Sequence, residues 1–281
     1  MNQDGQSVAR ERLKRLTQKL HVYRLVKACL PQDFRSPMPE YRRVAIPLPP
    51  LKVEHFGYWG REEKAGHVAR RYSQYIRSSL LDIGCDQKQL RDALGRPDLR
   101  YVGVDRNPPA DICVDLEKEA IPVGDGEFET VVCLDVLEHL DRIREAFAEL
   151  VRCTSRYLIV SLPNNWFGVY DHMRRGYGVP RFYGLPEEYP ADRHRWFFNF
   201  DDADSFLQCG AEKHGLAVVE RVAEWRVPSW PWWKRPFHAL RLLGPRNASF
   251  RNRYYQTIWY VFEKSLQERS ASNAADGRLS G

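Results

Sequence analysis

The stretch SLLDIGCDQK at residues 79–88 decides the fold. Its apolar run, Ser79–Ile83, is short and gives way at Gly84 to a helical pattern over Gln87–Leu94. RYVGVD (100–105) repeats the form and ends in Asp105. Two further runs, Asp111–Val114 and Thr130–Leu134, precede a helix over Glu138–Val151 and a fifth run at Tyr157–Leu162. Short apolar runs bounded by turns suit strands buried on both faces. Their alternation with helices predicts right-handed βαβ units in a parallel sheet.

Before this core, residues 8–30 place apolar side chains at helical spacing among basic ones, which predicts a basic amphipathic helix. Residues 31–60 carry six prolines and predict an extended arm without a regular interior. A helix is expected over Arg61–Arg77. After Pro163, a Gly-, Arg- and aromatic-rich stretch runs to Phe200, too long for a simple connector. Asp201 and Asp202 mark a helix start and Gly215 its end. Leu216–Val222 and Tyr254–Phe262 read as late strands. The expected organisation is therefore an arm over 1–60, a catalytic domain over 61–265 and a disordered tail over 266–281. Within the domain, 163–200 is a substrate lid and 229–246 an aromatic and basic insertion.

Composition narrows the class. In 281 residues, 43% are apolar and 28% charged, as in soluble globular proteins. Six scattered cysteines without a C-x-x-C pair suit a reducing compartment and argue against a zinc ribbon or disulfide frame. With no apolar run of transmembrane length and a polar start, the expected location is cytoplasmic. Net charge is +9 over residues 1–80, −10 over 81–220 and +7 over 221–281. Basic flanks around an acidic middle suggest an anionic partner.

The chemistry lies at the strand ends. Asp82, Asp105, Asp115 and Asp135 each close a predicted strand at its carboxyl end, where open α/β sheets form their ligand crevice. Gly84 allows close approach of backbone to a ligand. Asp105 is placed to accept hydrogen bonds from both hydroxyls of a ribose, Asp115 from an exocyclic amine. Leu116 or Val136 can cover the face of a base.

This series resembles the class I S-adenosylmethionine-dependent methyltransferases. The match rests on LLDIGC, YVGVD, Asp115-Leu116, TVVCLDVLEHL and YLIVSLPN, within residues 78–165. The resemblance implies an α/β Rossmann-like fold: a seven-stranded, mostly parallel sheet with an antiparallel last strand and helices on both faces. It implies a cofactor site of Asp82, Gly84, Cys85, Lys88, Asp105, Asp115, Leu116, Asp135 and Val136, with Asp82 and Gly84 near the methionine part. One departure stands out. The family's D-x-G-x-G-x-G has Asp86 and Lys88 at its second and third glycines, and Lys88 is expected to pair with the methionine carboxylate.

Asp135, Glu138 and His139 also resemble the metal-binding E-x-x-E-H element of small-RNA 2′-O-methyltransferases, which needs a further histidine such as His172 or His194. The same string occurs in metal-free relatives, so no metal is expected, and Glu138 is read as a first-turn acid favoured by the helix dipole.

The acceptor side should come from 163–200, where arginines alternate with aromatic rings. Arg174, Arg175, Arg181, Arg195 and Trp196 are the expected acceptor contacts; guanidinium forks hold phosphate or carboxylate and rings stack on sugars. His139, His172 and His194 are the candidate general bases. The G-L-P and D-R-H-x-W-F strings look like those of methyltransferases of bacterial cell-surface polysaccharide pathways. The expected reaction is methylation of an oxygen on a sugar or other small anionic acceptor. Trp230, Trp232 and Trp233 among Lys234, Arg235, Arg241 and Arg246 suit peripheral contact with a membrane or anionic surface, with nucleic acid a weaker fit. Two alternatives stay open: a fold relative that has lost its cofactor, and an RNA methyltransferase. A nicotinamide-dependent dehydrogenase is disfavoured because no G-x-G-x-x-G follows the first strand.

Overall fold

The structure, a computed structural model, describes residues 41–55, 57–174, 176–179, 183–190, 192–225 and 248–264. The chain divides into two compact units, residues 1–41 and 42–281, and all the described residues but Tyr41 lie in the second. The expected basic helix over 8–30, the insertion over 229–246 and the tail over 266–281 lie outside the described residues.

Eight strands form one sheet: β1 (Lys52–His55), β2 (Ser79–Ile83), β3 (Arg100–Asp105), β4 (Ile112–Cys113), β5 (Phe128–Leu134), β6 (Thr154–Pro163), β7 (Leu216–Trp225) and β8 (Tyr255–Lys264). Their spatial order is β1-β7-β8-β6-β5-β2-β3-β4. Only β8 runs antiparallel to its neighbours, β6 and β7. An antiparallel last strand is thus present, but the sheet has eight described strands where seven were expected. The additional one is β1, inside the proline-rich region read as irregular. Its residues pair parallel with Val222–Trp225 at the open edge of β7. The prolines at 47, 49 and 50 lie just before Lys52, so they end the irregular run without interrupting a ladder.

Among the described residues the helices are α1 (Arg61–Arg71), α2 (Gln89–Leu94), α3 (Ile143–Cys153), α4 (Asn165–Arg174), α5 (Phe200–Lys213) and α6 (Ala248–Tyr254), with short 3-10 turns at Ser73–Tyr75 and Leu137–His139. Strand side chains alternate between two buried clusters, as the pleat requires. Leu81, Val131, Val160 and Phe262 join Phe147 of α3 and Leu207 of α5 in one. Leu80, Val132, Ile159 and Trp259 join Val68 of α1 and Leu90 of α2 in the other. The helix expected from Glu138 starts only at Ile143, because Leu137–His139 forms a 3-10 turn that residues 140–142 separate from α3. The start of α5 is set by Asn199 rather than by the two aspartates. Asn199 accepts from the Asp202 amide at 3.0 Å, and Asp202 accepts in return from the Asn199 amide at 3.0 Å. Such a box contributes about 1 kcal/mol.

This topology positions the site. From β2 the chain moves one way to β3 and β4, and from β5 the other way to β6. The switch point lies between the carboxyl ends of β2 and β5, where loops 84–88 and 135–142 leave the sheet.

Candidate active site

A cleft of about 1220 Å³ opens at that switch point. Its floor is the turn after β2. Gly84 has φ +76°, and a Cβ there would stand 2.3 Å from Val136 Cγ2, so no side chain fits. The amides of Gly84 and Cys85 both donate to the Val104 carbonyl, at 2.8 and 3.1 Å, tying the turn to β3. Cys85 lines the cleft and packs against Gly103, where burial pushes its thiol up to about 12.

The two non-glycine positions keep a glycine's backbone. Asp86 has φ 47° and Lys88 φ 60°, both left-handed. Side-chain contacts hold each there. Asp86 Oδ2 meets Arg61 at 2.7 Å and accepts from Gln89 at 2.8 Å, and these bonds hold its carboxyl below the usual range. The Lys88 ammonium pairs with Asp111, whose other oxygen accepts from the Gly103 amide at 2.8 Å. Lys88 therefore does not line the cleft among its described residues, and its expected partner, the methionine carboxylate, is replaced by Asp111. Arg61 and Lys64 of α1 do line it. A left-handed non-glycine residue costs about 1 kcal/mol, and half-exposed ion pairs return a similar amount. Changing both positions to glycine is therefore expected to shift stability by no more than about 1 kcal/mol. Affinity for S-adenosylhomocysteine should stay within about tenfold, read by calorimetry. A larger loss would mean that one of these side chains itself meets the ligand.

Four strand-end acids meet in the cleft. Asp82 is buried; desolvation raises its carboxyl to about 6 against the Tyr101 hydroxyl, which donates at 2.6 Å. Asp105 accepts the amides of Asp86 and Asn107, both at 3.2 Å, which occupies two of the roughly four lone-pair positions of a carboxylate. Asp115 pairs with Lys118 at 2.9 Å, which keeps it ionised. Asp135, left-handed at φ 53°, meets Lys64 at 2.5 Å and accepts from Ser161 at 2.7 Å. Burial opposes its charge, but the ammonium and hydroxyl prevail and hold it below the usual carboxylate range. Leu116 and Val136 also line the cleft.

The remaining lining comes from 138–141 and 189–195. Glu138 is 1% exposed, and its Oε2 has no hydrogen-bond partner. Burial and the nearby Asp135 charge raise its pKa far above a free glutamate. His139 Nδ1 lies 3.2 Å from the Arg193 carbonyl, and its ring meets His194 edge to face at 4.6 Å. His194 Nδ1 contacts the Tyr183 hydroxyl at 2.7 Å; burial and then His139 lower its pKa to about 4, leaving it neutral at neutral pH. One donor atom from each of Glu138, His139 and His194 lies within 4.8 Å of the others.

The expected acceptor contacts divide. Arg195 lines the cleft, 3.6 Å from Asp141. Trp196 does not: its indole donates to the Leu140 carbonyl at 2.7 Å, fastening the segment to the fold. His172 is exposed on α4 beside Tyr177 and is absent from the described lining. Arg174 ends α4 with its side chain undescribed, and Arg175 and Arg181 lie outside the described residues.

A family described as a methyltransferase domain matches residues 26–221. The chain belongs to that family. Solved structures with similar folds include a SAM-dependent methyltransferase from Archaeoglobus fulgidus, 16% identical over 73% of this chain and 95% of that one, TM-score 0.48. The small RNA methyltransferase HEN1 is 17% identical over 82% of this chain and 27% of that one, TM-score 0.48. Magnesium protoporphyrin IX methyltransferase from Synechocystis PCC 6803, with bound SAH, is 16% identical over 73% and 83%, TM-score 0.43. No curated protein sequence matches the chain.

The methyl donor of a methyltransferase of this fold is S-adenosylmethionine, and the residues present fit it. The side-chain-free floor at Gly84 and the Asp105 carboxylate with unused acceptor positions are the features such a ligand needs. Arg61, Lys64 and Arg106 are cleft residues that sequence reading did not select. For the first two a signal existed: Arg61 and Lys64 are one helical turn apart, so they share a face of α1.

Proposed function

We propose that this methyltransferase moves the methyl of S-adenosylmethionine to an oxygen of a sugar or other small anionic acceptor. The observation that carries this reading is the cleft itself, with a cofactor-shaped floor at Gly84 and a rim holding Arg106, Arg193, Arg195 and Tyr189. Guanidinium groups suit a phosphate or carboxylate, and the exposed Tyr189 ring offers a stacking face to a sugar. The G-L-P and D-R-H-x-W-F strings, 184–186 and 192–197, support an acceptor from surface-polysaccharide synthesis.

In this assignment Asp105 holds the ribose, Asp115 the adenine amine, Leu116 and Val136 the base face, and Asp82 the methionine ammonium. Bound there, S-adenosylmethionine would supply an electrophilic methyl group to the acceptor oxygen; the sulfur–carbon bond would break as the oxygen–carbon bond forms, sulfur would keep the electron pair, and the hydroxyl proton would pass to a base lining the cleft. Because the sulfonium is already electrophilic, the chain's main contribution is alignment of three atoms in a line. His139 and His194, which line the cleft, are the candidates to take that proton.

Methyl-labelled cofactor offered to nucleotide-sugar and RNA pools tests the acceptor class. Label should enter the sugar pool as a methyl ether; label in RNA alone would overturn this reading.

Asp82 gives the cofactor a pH signature. Its carboxyl is protonated below about 6 in the free protein, and an ammonium ligand favours the ionised form. Affinity for S-adenosylhomocysteine should therefore be full above about pH 7 and fall by up to about tenfold per unit below pH 6. Asp82→Asn should flatten that profile in calorimetry. A slope unchanged in the variant would remove Asp82 from the ligand's surroundings.

A further inference from the structure

Pieces of the chain that are distant in sequence meet at one edge of the sheet. β6 and β7 run parallel to each other, because each pairs antiparallel with β8. The register sets Pro163 opposite Thr257 and Trp225 opposite Tyr255. The ends of β6 and β7 and the start of β8 therefore share the edge at which the cleft opens, and Pro163 lines the cleft itself. α4 begins two residues after Pro163, and α6 runs directly into Tyr255. The two helices pack together. Asn164 ties them to the sheet, its amide donating to the carbonyls of Asn252 at 2.9 Å and Tyr255 at 2.7 Å.

α4 turns an apolar face to solvent. Trp166, Tyr170 and Met173 stand at i, i+4 and i+7 and so share one face; they are 37%, 38% and 57% exposed. Tyr177, just beyond the helix, is 62% exposed. Arg253 of α6, itself exposed, lies 5.5 Å from the centre of the Tyr170 ring. Large apolar side chains aligned in this way mark a contact surface, unlike the single exposed residues common on soluble proteins. Charge indicates what the surface meets. From Arg226 to Tyr254 the sequence holds seven Lys/Arg and no Asp/Glu. Residues 226–247 of that run lie outside the described residues, but it departs from Trp225 and returns at Ala248, both beside this edge.

We propose that the exposed face of α4, with Arg253 at its margin, is a peripheral docking surface for an anionic lipid bilayer. Indole and phenol rings settle at headgroup depth with their apolar bodies toward the acyl chains, and the Met173 thioether adds apolar area. Basic groups without neighbouring acids meet the lipid phosphates. An RNA strand fits less well, because Met173 offers no stacking plane and the described rings line one helix face rather than a charged groove. No described helix is long and apolar enough to cross the membrane, so the contact is at its surface. This docking does not rest on the function proposed above.

The test is co-sedimentation of the full chain with vesicles of phosphatidylcholine alone or in equal mixture with phosphatidylglycerol. Binding to the mixed vesicles should be at least about tenfold stronger and should weaken as salt is raised. Tyr170→Ser combined with Met173→Ser should weaken it by at least about tenfold, and Arg253→Glu by about threefold or more. Val219→Thr, at an exposed apolar residue in the body of β7, should bind as the parent does. Thermal unfolding of each variant reports whether it is folded, and no cofactor is present, so failure of the methyltransferase reading leaves this result untouched. Equal binding by the double variant overturns the α4 face, and equal binding to both kinds of vesicle overturns the role of charge. Binding of single-stranded RNA with none to vesicles overturns the proposal altogether. Should the double variant fail to fold, Arg253→Glu still decides it, because that side chain is exposed.

Discussion

Replacing Asp105 by alanine is expected to weaken S-adenosylhomocysteine binding by at least about 100-fold. Two charge-assisted hydrogen bonds to ribose hydroxyls contribute about 1.5–3 kcal/mol each, and tenfold corresponds to about 1.4 kcal/mol. The substitution also removes the acceptor for the Asp86 and Asn107 amides, each at 3.2 Å. Those are long bonds near the surface of a turn that Gly84 and Cys85 already tie to Val104. The fold should therefore lose no more than about 1–2 kcal/mol, measured by denaturant unfolding. Asp105→Asn separates the two effects in part: it retains an acceptor for one of the two amides but lacks the charge and half of the bidentate capacity. An intermediate loss of about tenfold is expected for it. Equal affinity in the parent and the alanine variant would show that the ribose lies elsewhere.

Gly84→Ala should be more damaging to the protein itself. The new Cβ would meet Val136 Cγ2 at 2.3 Å, and φ of +76° is strained for any side chain. Overpacking and backbone strain each cost about 1–3 kcal/mol. A loss of about 2–5 kcal/mol in unfolding free energy is expected, together with loss of cofactor binding. Val136→Ala removes the obstructing methyl group. In the double variant the steric part should be recovered and the backbone part should remain, so the two changes should show a coupling of about 1–3 kcal/mol in a double-mutant cycle. Simple additivity would mean that the loops after β2 and β5 do not touch in solution.

The parts of this molecule set by short-range pattern were legible in its sequence. The bounds of β2 and β3 match the expected runs residue for residue, because each run is flanked by turn residues and β2 is buried along its whole length. The strand-end acids follow from the same rule, since parallel strands must present their carboxyl ends together. β1 was not legible: its four residues show no clean alternation and become a strand only because β7 offers an open edge. Lys88 misled for a related reason. Its position beside the cofactor turn suggested an anion, but Asp111, brought near by β3 and β4 pairing, takes its ammonium. The Glu138, His139 and His194 cluster was half visible. Glu138 and His139 are adjacent, but the choice of His194 over His172 depends on residues 193–195 folding back onto the Leu137–His139 turn. No local periodicity reports that. Among the described residues no helix is long and apolar enough to cross a membrane.

A structure of the protein soaked or grown with S-adenosylhomocysteine measures the central claim directly. The adenosyl group is expected over Gly84, with both ribose hydroxyls within hydrogen-bond distance of the Asp105 carboxylate and the thioether directed toward His139. A nucleoside bound away from that carboxylate, or a cleft that stays empty at saturating ligand, would contradict it.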